Sequence, residues 1–597
     1  MKITYKHEIK PGEKLNENNL FEILLKNRQI KNKKEFLTPT NPAKINLTDF
    51  GPPAGGLKRD LNKTLKLLEK IKKNNEMVVV YTDYDADGIT GGAILWETLH
   101  LLGFKVMPYV PHRKHEGYGF SIKGIDNVKK LYNPALIISV DHGITAWEKV
   151  EYAKSLGIPI IITDHHLKPV KVPTKAMAIF HIPLLSGSGV AYFFAKEIFT
   201  QLRAGRSGRT PEVEENPEYS GDGKTSGVKI DWQKIENNFQ IDYLALASIG
   251  TIADLVPLIG SSRSIVKYGL EAFSKIKRVG LRQIIKDAGI EDKKITPYHI
   301  GFMIAPRINA VGRLEHAIDA LRLLCTTDLK RAETLSNHVG LKNRERQDLV
   351  IKAVEEARLR VEASAGKSKK LPKIIILENK SWHEGIIGLI ASKIAEEYYR
   401  PTIVLTESDG FLKGSTRSIP SFHITNFLRD LKKYLIDVGG HKGAAGFTME
   451  KKNLTIFKTA ASRMINKIIN DKDLERTIEA DIKIPLSKLN ISLVKKLEIL
   501  QPFGIANPQP TFYSEVEILD SRTFGKNKDH IKLIVKDAIP QPPTSNFQLP
   551  IEFVSFGNAD KYASLSQGQK IKVVYSLEID RWGGSEKLRG KIIHLTS

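Results

Sequence analysis

MVVVYTDYDADGITGG (77–92) decides the fold. Its apolar run, Met77–Tyr81, leads directly into Asp83, Asp85 and Asp87 at alternate positions. Working outward, KVMPYV (105–110), ALIISV (135–140), PIIIT (159–163) and AMAIF (176–180) are further short apolar runs, most of them separated by enough chain for a helix. Strand–helix alternation of this kind predicts an α/β fold with a mainly parallel sheet covered on both faces. Residues 77–325 are expected to form that domain, with residues 1–76 an N-terminal extension packed on it and a Pro/Gly patch at 51–56 marking a turn.

Residues 203–235 interrupt the pattern with Gly, Pro, Ser and charge and read as a mobile surface insertion. GDGKTSG (221–227) within it is not a phosphate loop: Glu218 stands where the first glycine is required, and no strand feeds it. Helical spacing dominates from about residue 328 to 363. A helix of that length spans roughly 50 Å, enough to join two lobes, so residues 326–365 are expected to be a connecting helix. A smaller α/β lobe follows over 366–472. It has KIIILE (373–378), a helix near 386–399, PTIVLTE (401–407) and a further helix after Ser421. Over 473–597 the runs shorten and alternate, which predicts an OB-like β-barrel, a module that often tracks single strands. No internal repeat is visible.

Composition narrows the function classes. At 41% hydrophobic and 26% charged residues, the chain excludes wholesale disorder and collagen-like repeats. No run reaches the ~18 apolar residues of a membrane span, and MKITYKHEIK lacks the apolar stretch of a signal peptide. One cysteine, Cys325, rules out an intrachain disulfide and fits a reducing cytosol, so a cytoplasmic location is expected. Ninety-one Lys and Arg against 67 Asp and Glu give +24, a field that favours polyanions such as nucleic acid.

The chemistry lies in dispersed acids and imidazoles. Asp83, Asp85 and Asp87 follow the first strand of the alternating region, Asp141 (VDHG) the third, and Asp164, His165 and His166 (TDHH) the fourth. Asp254 lies in ASIGTIADLVPL. Parallel strands bring their carboxyl ends to one edge, so these groups are expected to converge although up to ~170 positions apart. Alone, an Asp-x-Asp is ordinarily a turn and a His-His pair ordinarily surface. Crowded carboxylates titrate upward unless a cation neutralises them, and carboxylate oxygen with imidazole suits Mn²⁺ or Mg²⁺. Five or more ligands suffice for two ions about 3.5–4 Å apart, the arrangement that hydrolyses phosphate esters.

YTDYDADGIT, SVDHGIT, ITDHH and GTIADLVPL resemble, in order, the four motifs of the DHH phosphoesterases. RINAVGRLEHA (307–317), WHEGIIGLIASKI (382–394), KGSTRSI (413–419), GGHKGAAGF (439–447) and QPFGIANPQPTF (501–512) are similar to the RecJ exonuclease branch of the DHH/DHHA1 superfamily. The resemblance covers nearly the whole chain outside the insertion. Thr82 stands where the first motif usually has glycine, which moves no ligand.

The resemblance implies a 5′→3′ exonuclease specific for single-stranded DNA that releases 5′-mononucleotides in repair and recombination, the strand threading between two lobes. It assigns two Mn²⁺ or Mg²⁺ ions to Asp85, Asp87, Asp141, His165 and Asp254, with Asp141 the bridge and Asp83 at the rim. It places His166 on the scissile phosphate and Asp164 behind His165, orienting it. It gives the strand's 5′ end to Arg113, Arg313, Ser415 and Arg417, within a wider cationic set of Arg307, Asn309, His441 and Lys442. Tyr118 and Phe120 are the favoured aromatics for base stacking, ahead of Trp382, Phe503 and Phe524. A RecQ-type helicase and a single-strand-binding protein are expected partners, and the chain is expected to be a monomer. Two other readings stand beside it: a phosphodiesterase for short oligonucleotides or cyclic dinucleotides, which needs no long basic track, and a non-enzymatic DNA-binding replication factor, which needs no intact ligand set.

Overall fold

The structure is a computed structural model that describes residues 2–9, 17–51, 56–207, 230–365, 371–538, 550–581 and 584–596. The centre of the expected insertion (208–229), GDGKTSG included, and most of the 51–56 patch lie outside the described residues. The chain divides into two compact units. Residues 32–346 and 502–508 form one; residues 1–31, 347–501 and 509–597 form the other.

After an N-terminal strand β1 (Lys2–Glu8), the first unit is built on β2 (Val78–Thr82), β3 (Val106–Tyr109), β4 (Leu136–Val140), β5 (Ile160–Asp164) and β6 (Ala178–His181). They pair in parallel throughout, in the order β3-β2-β4-β5-β6. Every residue of β2, β4 and β5 is buried, because both faces are covered. Val78 and Val80 face one apolar cluster, with the helices Ala86–Leu101, Gly187–Ser207 and Asp242–Ala253. Val79 and Tyr81 face another, with Phe120, Ile125 and Val150. Strand order reverses between β2 and β4, and open α/β sheets hold their ligands in the crevice at such a switch. The helix after β2 approaches its own strand closely: a side chain at Gly88 or Gly92 would overlap Asp83 or Thr82.

The second unit carries two sheets. One runs β10 (Asp437–His441), β11 (Ala444–Met449), β9 (Phe411–Arg417), β8 (Thr402–Ser408), β7 (Ile375–Glu378), with only β7 and β8 parallel. The other contains β12 (Thr477–Lys483), β13 (Phe512–Phe524), β14 (His530–Asp537), β15 (Ile551–Ser555), β16 (Lys570–Asp580) and β17 (Lys587–Thr596). Strands 13–17 follow the order β13-β14-β15-β17-β16, and β13–β16 pairing closes them into a five-stranded OB barrel. The expected N-terminal extension divides. Residues 32–51 and 56–76 stay with the parallel sheet, but β1 pairs in parallel with β12, so residues 2–9 and 17–31 belong to the barrel's unit. Periodicity shows that a strand exists and leaves its partner open, which is why this escaped the sequence reading. The connecting helix is Leu329–Ala365, and its two halves fall to the two units on either side of residue 346.

Candidate metal centre

The ladder of the parallel sheet delivers the first acids. Asp83 N–H donates to Val140 O and Asp141 N–H to Thr163 O, so both residues leave their strands at the switch point. Asp85 caps the helix Ala86–Leu101, accepting from the N–H groups of Asp87 (2.9 Å) and Gly88 (3.0 Å). Asp87, in the first turn of that helix, points to the start of another helix and accepts from Gly187 N–H (2.6 Å) and Ser188 N–H (2.9 Å). Asp254 comes from the C-cap of the helix Asp242–Ala253 and not from a strand end, a correction to the expected geometry. Asp141 at φ 69° and Leu255, next to Asp254, at φ 58° occupy the left-handed region, which turns the chain sharply at one ligand and beside another.

These side chains meet. Asp83, Asp85 and Asp141 bring one carboxylate oxygen each within 4.8 Å of one another, as do the donor atoms of Asp87, His165 and Asp254, and those of Asp141, His165 and His166. His165 Nε2 stands 3.1 Å from Asp141 Oδ1, 3.4 Å from Asp254 Oδ2 and 4.0 Å from Asp87 Oδ2. Asp141 thus appears in two of the three sets.

The electrostatics are those of a cation site. Burial, then the neighbouring carboxylates, pushes Asp83 and Asp141 well above the usual carboxylate range and Asp85 above it. Asp254 is pushed to about 8 by burial and by Asp87. Burial lowers His165 and so keeps a nitrogen lone pair available. Asp83 Oδ1, Asp141 Oδ1 and His165 Nε2 are buried with no hydrogen-bond partner among the described residues. Such orphans cost about 1–3 kcal/mol each unless something fills the space between them. Hard carboxylate oxygens and one imidazole fit Mn²⁺ or Mg²⁺.

Asp164 acts differently from expectation. Its Oδ1 lies 2.8 Å from His166 Nδ1 and accepts both backbone N–H groups of the His165–His166 pair, while Oδ2 accepts from Ile144 N–H. It therefore orients the His166 ring, not that of His165, because it is the Nδ1 of the second histidine that meets the carboxylate. Burial opposes ionisation at Asp164, but those hydrogen bonds and the His166 charge hold it well below the usual range. Burial likewise opposes charge on His166, yet the bond to Asp164 prevails and raises it to about 9. Tyr118 Oη donates to Asp141 O (3.0 Å) and lies 2.9 Å from His166 Nε2. Its single proton being committed, it accepts from Nε2–H.

The remaining expected residues scatter in role. Arg113 lies over the Tyr84 ring at 5.1 Å, beside the acids. Arg313 lies near enough to influence the Tyr84 hydroxyl. Asn309 Oδ1 accepts from Ala86 N–H at 2.7 Å, so it braces the acidic loop instead of offering itself to a ligand. Arg307 is held by Met303 O and Asp287 O. In the second unit, Ser415 and Arg417 share one face of β9 opposite Gly388, and His441 ends β10 with its side chain exposed. Phe120 and Trp382 are buried, so neither offers a ring to a base, while Tyr118 remains half exposed. The sequence reading missed Gly187 and Gly250. A side chain at Gly187 would overlap Asp141, and one at Gly250 would overlap Asp87 and Ser188. SGSG (186–189) and SIG (248–250) were the available signal.

Comparison with known proteins bears on this geometry. The DHH family N-terminal domain matches residues 77–216, the DHHA1 domain 371–467 and the RecJ OB domain 480–594. The chain is similar to the single-stranded-DNA-specific exonuclease RecJ of Bacillus subtilis, 31% identical over 523 residues, covering 86% of this chain and 60% of that one. The chain therefore spans about three fifths of that relative's length. It is 27% identical to the RecJ of Haemophilus influenzae, with 98% of both chains covered. Thermus thermophilus RecJ, 24% identical, shares the fold. Its Mn²⁺ complex gives a TM-score of 0.76 over 100% of this chain and 80% of that one, and its Mg²⁺ complex 0.70 over 100% and 79%.

Proposed function

The chain belongs to the RecJ family, and from that premise we propose that it is a single-stranded-DNA-specific 5′→3′ exonuclease that hydrolyses phosphodiester bonds with two divalent ions. The observation that carries the reading is the pair of ligand sets. Asp83, Asp85 and Asp141 would hold one ion and Asp87, His165 and Asp254 the other, with Asp141 also 3.1 Å from His165, and Asp83, Asp141 and His165 each keep a buried atom with no hydrogen-bond partner among the described residues. When bound, Mn²⁺ or Mg²⁺ activates water for in-line attack and neutralises charge on the departing oxygen.

The chain's own residues do the rest. Gly187 and Ser188 N–H groups fix Asp87, and Asp164 fixes the His166 ring. Tyr118 holds the Nε2–H of His166 until a phosphate oxygen takes its place, and that hydrogen bond then serves the departing 3′ oxygen of the first nucleotide. Water adds to phosphorus, the P–O3′ bond breaks, and a 5′-mononucleotide leaves a strand one residue shorter with a new 5′-phosphate. Ser415 and the half-buried Arg417, whose planar fork suits a terminal phosphate, are the proposed receptors of the 5′ end. The strand must first be exposed, so the reading expects a RecQ-type helicase and a single-strand-binding protein as partners, in the cytosol.

The test is digestion of a 3′-labelled single strand, and of the same strand in duplex, with Mn²⁺. Mononucleotides released from the 5′ end of the single strand alone are expected. Equal release from the duplex, or release undiminished by chelator, would overturn the proposal.

A further inference from the structure

Tyr298 and Phe302 form a feature that the metal centre does not use. A short turn, Pro297–His299, runs into a π-helical segment, Ile300–Ile304, ahead of the helix Ala305–Leu314. The two rings stack on each other at 5.0 Å and 27°, yet are 62% and 70% exposed. Large aromatics ordinarily bury, and π-helical turns concentrate at functional sites. The segment lies against the helix that ends at Asp254. Gly301 faces Ile252, two residues before that acid, and Leu255, just after it, is also exposed. Cations flank the segment along the chain, Lys293 before it and Arg307 after it. Lys293 is close enough to His299 to lower it further after burial has done so. Arg307, five residues beyond Phe302, keeps a buried Nε with no hydrogen-bond partner among the described residues.

We propose that Tyr298 and Phe302 are a stacking platform for unpaired nucleobases of the strand cut at the Asp141 centre. This rests on the exonuclease reading and deepens it. Two flat π-faces on a segment flanked by cations match a polyanion whose bases are exposed, and stacking of this kind tolerates any sequence. In a duplex the base faces are already covered by their neighbours, so the platform grips only a single strand and contributes to strand choice.

The experiment measures KM for Mn²⁺-dependent digestion of a 5′-phosphorylated oligothymidylate by the full chain and by Tyr298→Ala, Phe302→Ala and Phe302→Leu. A parallel set of strands carries one abasic position walked inward from the 5′ end. Each alanine variant is expected to raise KM by about fivefold to a hundredfold, the range of a base–aromatic stack. Phe302→Leu, which keeps apolar bulk without a ring, should behave like alanine. The unsubstituted protein should lose a similar factor at one abasic position to which the alanine variants are indifferent. An unchanged KM in the Tyr298→Ala/Phe302→Ala pair, or variants as sensitive as the parent at every abasic position, overturns the platform. If the parent digests no strand, the exonuclease reading fails instead. The platform is then judged by fluorescence anisotropy on the same strands, with the same two outcomes.

Discussion

Asp141 combines a costly backbone with a costly side chain. Its φ of 69° and its buried Oδ1, without a hydrogen-bond partner among the described residues, each oppose folding by about 1–3 kcal/mol, and neither improves packing. Asp141→Asn keeps the shape and removes the repulsion. The metal-free variant should melt a few degrees higher than the parent (~1 kcal/mol), while losing the rise in Tm that Mn²⁺ gives and nearly all nuclease activity. Calorimetry with and without Mn²⁺ checks both signs. Gly250→Ala tests the same site without touching a carboxylate. The added methyl displaces Asp87 or Ser188, so Mn²⁺ affinity should fall at least tenfold, about 1.4 kcal/mol, with the circular dichroism spectrum retained. The acids after β2, β4 and β5 were legible because strand ends announce where they go, whereas Asp254 comes from a helix end. The glycines that make room for them, and the turn of Asp164 toward His166, were not, since contacts between Asp87 and Ser188 cross 101 positions and leave no periodic trace. Lys196 gives a pH prediction. Buried, with its ammonium on the carbonyls of Pro42, Ala43 and Ile45, it is pushed down to about 8 by burial from an ordinary 10.5. The folded state then holds fewer protons than the unfolded one between those values. Stability should rise with pH from about 8 to 10.5 relative to Lys196→Met, read as urea midpoints.

Among elements, the segment 502–508 has the largest effect for its size. It belongs to the unit of the parallel sheet although both its flanks belong to the barrel's unit. Arg263, fully buried, donates to Phe36 O and Pro502 O, and Leu258 N–H, four residues past Asp254, donates to Ile505 O. Asn507, also fully buried, closes the loop on Pro502 O. Asn507→Ala removes one of the two hydrogen bonds to Pro502 O, should cost about 0.5–1.5 kcal/mol, and should weaken Mn²⁺ binding through Asp254. Titration calorimetry reads the second effect, and normal Mn²⁺ binding by a destabilised variant would limit the loop to a structural role. QPFGIANPQP was visible in the sequence as a loop with family resemblance. Its seat was not, because an irregular segment has no hydrophobic period to reveal what it touches. The parallel strands were legible for the opposite reason: the three central ones are buried on both faces and so must be largely apolar.

For the whole molecule, the +24 charge sets the response to salt. A strand contacting several Lys and Arg residues releases counterions, and for a single strand six to ten such contacts lower affinity by about 300-fold to 10⁴-fold between 50 and 200 mM salt. KM for a long single strand should climb on that scale, whereas KM for a p-nitrophenyl ester of thymidylate should hardly move. Parallel salt dependence of the two would locate the effect in the metal centre instead of along the strand. Chain order adds a constraint in time. A nascent polypeptide leaves the ribosome with the parallel sheet complete long before residue 502 exists, so Arg263 waits 239 positions for its carbonyl. At 5–20 residues per second that is roughly 10–50 s, during which the chain around Asp254 lacks the brace that residues 502–508 supply.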